Sequence, residues 1–472
     1  MSRNVINKTA IQCLEEWLDS YLNFEKLPKK GIFWLDTIKF LCQRFSNPQK
    51  SFKSIHIAGS KGKGSVSTML SSIIKEYKGN CGLYTSPHIL SLAERITNSH
   101  TFLDETIYEE SLKELMAKVE SIIPEQLPNQ REITWFELVT LYSFLCFRKA
   151  NFSWAVYETG LGGRLDSTNI LEPELSIITP IELEHTEFLG NTISEIAFEK
   201  AGIIKNNVPV CISKQSKEAL EVISSKAKEV NAPVFYIEDY LENLSYVFPS
   251  KENDVKTMEV SIKFKKLFSR PIKINLSLIG KVQAENASLA CLCAKILFPE
   301  ISEEIIEKGL NKCTLQGRFE IAKNPLNKKS EIIYDGAHTV KSIKGTLDSY
   351  KRIFHIENHK GILIFAVAAD KDIEHISKEI IESNLFKEIY ITKPGSVKQS
   401  DISKVVNTFQ ELSKNCDIKL NHSEDYSKVI KEALESTKEE NVPLLITGSF
   451  YLVAEAKKVS AAIESNSSSF NE

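Results

Sequence analysis

The chain has 472 residues, and 59 Lys and Arg against 62 Asp and Glu leave a formal charge of −3. At roughly 100–200 residues per domain that length makes two or three domains, and 42% hydrophobic with 26% charged residues excludes disorder as the main state. The balanced charge excludes the basic footprint of a general nucleic-acid binder, and no apolar run nears the ~20 residues of a membrane-spanning helix.

Residues 1–16 carry polar residues throughout their length and lack the hydrophobic region of a secretory signal. Nine cysteines are dispersed without a CxxC pair, and Cys291 and Cys293 are too close along a helix to bridge. Both features point to reduced thiols in a cytoplasmic protein, most of them serving as small buried hydrophobes. Only nine of the basic residues are Arg, so an Arg inside a motif carries weight.

In chain order, the apolar run 54–58 reads as a buried strand, followed by a glycine-rich turn and a helix over 66–75. Helical patterns occupy 106–123 and 135–147; strand-like runs fall at 155–158, 176–180 and 208–213. Strands alternating with helices argue for α/β architecture with a mostly parallel sheet. The stretch 236–278 alternates apolar and polar residues (Val260, Ile262, Phe264, then Ile272, Ile274, Leu276), the period of half-exposed antiparallel strands. It is expected as a hairpin addition to the first domain. A second α/β series follows, with strands at 332–334, 362–367, 388–392 and 444–447. The expected division is 1–314, 315–464 and a frayed Ser-rich tail, 465–472.

Three segments carry chemistry. In Gly59-Ser60-Lys61-Gly62-Lys63-Gly64-Ser65, a strand feeds a glycine-rich turn and then a helix start. Glycines let backbone N–H groups face a phosphate, Lys63 adds a point charge, and the helix N-terminus adds its dipole. Ser65 suits Mg²⁺ or phosphate. The spacing is shorter than the strict GxxxxGK[ST] pattern, and the bland alternative is a flexible surface turn. In the second segment, Glu158 ends a buried strand before Gly160-Leu161-Gly162-Gly163-Arg164-Leu165-Asp166, where open α/β sheets place ligand groups. Glu158 there suits Mg²⁺, which takes few protein oxygens. The third holds Glu184-His185-Thr186 and Lys200; taken alone, His185 reads as a structural histidine and Lys200 as a solvated helix lysine.

Together these motifs resemble the folylpolyglutamate synthase/dihydrofolate synthase family of the Mur ligase superfamily. Family members carry GTNGKGS, TSPHL…ERI, EVGLGGRLDATN, LDHT…LGNT…EKAGI, GR, DGAHN and a late TGSLY. This chain has 59–65, Thr85-Ser86-Pro87-His88-Ile89 with Glu94-Arg95-Ile96, 158–169 and 183–203. It continues with Gln283, Asn286, Gly317-Arg318, Asp335-Gly336-Ala337-His338, Asp370-Lys371-Asp372 and Thr447-Gly448-Ser449-Phe450-Tyr451. The order is kept from about Pro48 to Val453.

The resemblance implies a two-domain, Mur-ligase-like fold: an N-terminal P-loop ATPase domain and a C-terminal Rossmann-like domain, with a Mg-ATP site between them. Lys63 and the loop 59–65 would hold the phosphates, and Ser86, Glu158 and His185 would ligate Mg²⁺. Lys200 would be carbamylated on its amine, which requires a deprotonated lysine. Asn286 and Arg318 would contact phosphates, with Asp335 and His338 near the nucleotide. Thr85, His88, Glu94 and Arg95 would border the folate site, and Ser449 the cleft. The implied catalytic set is Lys63, Glu158, His185 and Lys200. The implied activity joins L-glutamate to a folate or pteroate carboxylate through an acyl phosphate, by a monomer. The family pattern differs at Lys61 (Asn), Ala93 (Asn), Val282 (His), Gln316 (Pro) and Thr339-Val340 (Asn-Pro), positions that bear on substrate choice. Competing readings are a Mur-type ligase for another acid or amino acid, and a non-catalytic nucleotide binder.

Overall fold

The computed structural model describes residues 8–23, 34–249, 256–354, 360–396 and 398–468. The chain forms two units, one made of Met1–Ser245, Ser261–Ile274 and Glu285–Cys313, the other of Tyr246–Val260, Asn275–Ala284 and Thr314–Glu472.

In the first unit, β1 (Lys53–Ala58), β2 (Gly82–Tyr84), β3 (Ile96–Asn98), β4 (Trp154–Glu158), β5 (Leu175–Ile178), β6 (Val210–Ile212) and β7 (Val234–Tyr236) make one sheet. Its order is β3-β2-β4-β1-β5-β6-β7. β2 and β3 pair antiparallel, and the other neighbours pair parallel. Parallel strands covered by helices on both faces are apolar end to end, and β4 is buried at all five positions. Because β1 lies between β4 and β5, the turn after Ala58 meets the ends of both. That is a topological switch point, where open α/β sheets bind ligands.

Gly62, left-handed at φ 86°, precedes the helix Lys63–Lys78, which starts three residues before the sequence pattern does. On its far end this helix meets the helix Glu303–Asn311. A Cβ on Gly309 would lie 2.6 Å from Ile73 Cα, and Ser72 Oγ donates to Gly309 O at 2.7 Å. The helix Glu105–Val119 stops short of residue 123, which Pro124 keeps in extended backbone.

Strands β8 (Leu241–Val247), β9 (Met258–Phe264) and β10 (Ile272–Leu276) form a small sheet ordered β10-β9-β8. Met258, Val260, Ile262 and Phe264 are buried between more exposed neighbours, the expected two-residue period. The division between units runs through this sheet.

The second unit is built on β11 (Glu320–Asn324), β12 (Asn327–Tyr334), β13 (Gly361–Phe365), β14 (Phe386–Ile391), β15 (Lys419–His422) and β16 (Leu444–Thr447), ordered β11-β12-β16-β13-β14-β15. β11 and β12 pair antiparallel, the rest parallel. The helix Phe450–Ser468 extends into the stretch expected to fray; residues 469–472 lie outside the described residues. All nine cysteines are free thiols, seven of them buried. Among the described residues no helix is long and apolar enough to cross a membrane.

Candidate active site

In the first unit the loop 59–65 closes over β5. Ser60 and Lys61 N–H both donate to Pro180 O, at 2.9 and 3.2 Å, and Ser60 Oγ donates to Glu182 O at 3.0 Å. Two positions accept no side chain: a Cβ on Gly59 would lie 1.9 Å from Thr179 Oγ1, and one on Gly62 2.6 Å from Asn286 Oδ1. Asn286 is buried beside the turn in the helix Lys281–Leu297.

Lys63 and Lys200 meet on one backbone oxygen. Lys63 Nζ donates to Gly59 O at 3.0 Å and Lys200 Nζ at 2.8 Å. Lys200, 1% exposed, also donates to Glu184 Oε1 at 3.1 Å, and Lys61 Nζ lies 3.8 Å from Glu184 Oε2. Burial lowers the Lys200 pKa to about 8, partly opposed by Glu184. For Glu184, burial works upward, but Lys200, Lys63, Lys61 and His185 together hold it down to about 2. One acid among several lysines is a pocket built for additional negative charge. His185 caps the short helix Thr186–Leu189 with left-handed backbone, φ 48° and ψ 39°.

A depressed carboxylate pKa gives stability that is present above the unfolded value and lost as pH falls through the folded one. Glu184→Gln is therefore expected to shallow the loss of stability between about pH 4.5 and pH 2. Wild type should lose on the order of 1–3 kcal/mol more than the variant in urea unfolding compared at pH 5 and pH 3. Equal acid losses would remove Glu184 as the ionised partner of this cluster.

Glu158, buried at the end of β4, accepts the Ser86 N–H on Oε2 at 3.1 Å. A Cβ on Gly64 would lie 3.4 Å from that oxygen, so the helix start and the acid share one small space. Beyond it the glycine-rich loop is tied by Asp166: Oδ2 accepts Leu161 N–H at 2.8 Å, and Oδ1 accepts the Thr168 N–H and hydroxyl at 3.0 and 2.5 Å. Thr168 Oγ1 in turn lies 2.7 Å from Nε2 of His56 on β1, whose burial drives its pKa down to about 3 and keeps it neutral.

The segment 85–96 folds around Glu94. Its carboxylate accepts the N–H groups of Ile89, Leu90 and Ser91 at 2.8, 2.8 and 2.9 Å. Arg95 Nε donates to His88 Nδ1 at 2.9 Å, its guanidinium lies 4.9 Å from the centre of the Trp135 ring, and Thr85 N–H donates to Arg95 O at 3.2 Å. Glu94 and Arg95 thus shape this loop, leaving its backbone, Thr85 and His88 to present a surface. The sequence reading missed the Glu94 role, although Ser91-Leu92-Ala93-Glu94 is a capping-box pattern that signals it. It also gave Glu184 no role; no local pattern ties it to a lysine sixteen residues on.

In the second unit, Asp335 follows β12. Its Oδ2 accepts Phe319 N–H at 2.9 Å, and its Oδ1 accepts Ala337 N–H at 3.1 Å and the Thr346 hydroxyl at 2.7 Å. Burial pushes its pKa up against these bonds. His338 Nδ1 donates to Gly336 O at 2.8 Å, fixing the proton on that nitrogen. The Arg318 guanidinium lies over the Phe450 ring at 4.0 Å. Ser449 Oγ accepts Tyr451 N–H at 3.2 Å as the start of the last helix. Asp335 and Ser449 therefore organise backbone, while Arg318 and His338 present charge and a ring nitrogen. Thr339, in place of the pattern's Asn, accepts Ser342 N–H at 3.4 Å and its hydroxyl lies 2.9 Å from that of Ser342.

Residues 57–294 match the Mur ligase middle domain, and residues 318–459 the dihydrofolate synthetase C-terminal domain. The dihydrofolate synthase/folylpolyglutamate synthase of Bacillus subtilis (strain 168) is 31% identical over 95% of this chain and 99% of its own. A probable dihydrofolate synthetase of Schizosaccharomyces pombe is 30% identical over 88% of this chain and 95% of its own. The folylpolyglutamate synthase of Mycobacterium tuberculosis, solved in complex with ADP and AMPPCP, has the same fold, with a TM-score of 0.81 at 24% identity. That match covers 95% of this chain and 98% of that one.

Proposed function

Because the chain belongs to the folylpolyglutamate synthase/dihydrofolate synthase family of Mur-type ATP-dependent ligases, we propose that it joins L-glutamate to dihydropteroate and to tetrahydrofolate. The observation that carries this reading is the cluster of Lys61, Lys63 and Lys200 around Glu184 under the glycine-rich loop, a site that calls for a polyphosphate. The relative with both activities in its name aligns over nearly its whole length.

A carboxylate is a poor electrophile and needs activation before an amine attacks it. The γ-phosphoryl group of ATP passes to the substrate carboxylate, leaving ADP and an acyl phosphate; the glutamate amine then attacks the acyl carbon and phosphate departs. The loop 59–65 and Lys63 hold the phosphates and offset the charge that spreads at transfer, the largest lever in such sites. Asn286 adds its amide beside that loop, and in the second unit Arg318 and His338, on backbone organised by Asp335, are the groups suited to a nucleotide. Thr85, His88 and the backbone set by Glu94 and Arg95 border the pteridine substrate.

Mg²⁺ suits the hard carboxylate oxygens of Glu158 beside Ser86 and keeps several waters; Ser86 and His185 would be its further ligands by the family resemblance. Among the described residues no group of three or more His, Cys, Asp or Glu side chains could hold a metal ion, so phosphate oxygens and water would supply the remaining ligands. When bound, the ion neutralises phosphate charge. Lys200 takes up CO₂ as a carbamate; burial favours the neutral amine this reaction needs. The protein works in the cytoplasm as a monomer.

The test is ADP release from Mg-ATP and L-glutamate with dihydropteroate or tetrahydrofolate supplied separately. Release with each acceptor is expected. Release with one alone would narrow the activity to that acceptor, and ATP binding without release under either would overturn the ligase reading for these substrates.

A further inference from the structure

Phe450 is the residue at which the chain departs from the family's TGSLY pattern inside the second unit's cluster, with a ring where that pattern has leucine. The ring is fixed on two sides. It stands at the start of the helix Phe450–Ser468, and it presses on the Asp335-Gly336 turn so closely that a Cβ on Gly336 would lie 2.0 Å from Phe450 Cε1. The Arg318 guanidinium lies 4.0 Å from its centroid, and the His338 ring meets it edge-on at 6.1 Å. The backbone beside Arg318 is equally fixed: Gly317 N–H donates to Glu320 Oε2 at 2.9 Å, and Phe319, left-handed at φ 51°, donates to the buried Asp335. Arg318 is thus held at both ends, by its backbone neighbours and by an aromatic face under its charged group.

We infer that Phe450 is a positioning residue for the ligase reaction: its ring holds the Arg318 guanidinium ready for a nucleotide phosphate. A guanidinium over an aromatic face keeps its charge and its in-plane N–H groups, so the stack orients the donor without consuming it. A leucine fills similar space but has no face to attract a cation. The inference rests on the reading of Arg318 as a phosphate ligand.

The experiment is a double-mutant cycle on the full chain, reading kcat and KM for ATP in Phe450→Leu, Phe450→Tyr, Arg318→Ala and Phe450→Leu/Arg318→Ala. Phe450→Leu should raise KM for ATP about three- to tenfold with kcat within about twofold. Phe450→Tyr, which keeps the face, should stay near wild type. In the Arg318→Ala background Phe450→Leu should add nothing. If Arg318→Ala leaves KM for ATP unchanged, the reading of Arg318 fails. If Arg318→Ala raises it while Phe450→Leu does not, or if the Phe450→Leu effect persists without Arg318, Phe450 does not act through Arg318. Thermal unfolding of each variant separates a folding defect from these outcomes.

Discussion

Lys63→Ala is expected to lower kcat/KM for ligation by about three orders of magnitude while shifting stability by no more than about 0.5 kcal/mol. The two halves of that expectation come from different features. Lys63 is the first residue of its helix, and its one described hydrogen bond runs to Gly59 O, a carbonyl that Lys200 also holds. Removing it leaves the loop anchored through Pro180 and Glu182. Phosphoryl transfer is more sensitive, because catalysis there is largely positioning and charge stabilisation. Lys63→Arg should rescue only weakly, since a planar fork does not replace a compact ammonium. ADP release under saturating L-glutamate reads the effect; near-normal turnover in Lys63→Ala would remove Lys63 from the phosphate site.

The second large effect is expected at Lys200→Ala, with turnover reduced at least about a hundredfold in a folded protein. Deleting one partner of a buried ion pair ordinarily costs about 3–5 kcal/mol, yet here two terms offset it. Glu184 keeps Lys61 at 3.8 Å and feels Lys63. Lys200 itself is held in its charged form at a cost, since its pKa falls from 10.5 to about 8. A lysine whose folded pKa lies below its unfolded one lowers stability while charged, and that cost fades as pH rises through about 8 to 10.5. Wild type kept free of CO₂, so that Lys200 carries no carbamate, should therefore gain stability over that window relative to Lys200→Ala in urea titrations. Partial rescue of turnover by a short carboxylic acid would support the carbamate role, and turnover near wild type without rescue would refute it.

Much of the fold was legible because buried parallel strands and covering helices leave distinct periods in the sequence. The runs 54–58 and 155–158 coincide closely with β1 and β4, since a strand covered on both faces needs continuous apolar residues. Legibility ended where geometry depends on distant partners. The helix start at Lys63 follows from a left-handed Gly62 set against Asn286, more than two hundred residues away. The left-handed backbone of His185, the reach of Glu184 to Lys200 and the Phe450 ring under Arg318 likewise leave no periodic trace. Glu94 differs, because its capping role is written locally and was readable.

The close crossing at Gly309 has a consequence for the order in which the molecule is made. The helix that presents Lys63 rests its far end on a segment that the ribosome adds some 230 residues after it. At about 5–20 residues per second, that is a delay on the order of ten to fifty seconds. Through that interval β1 and the turn after it exist, but the backrest of their helix does not. The far half of that helix therefore gains its contact with Gly309, and the Ser72 hydroxyl its acceptor, only late in synthesis.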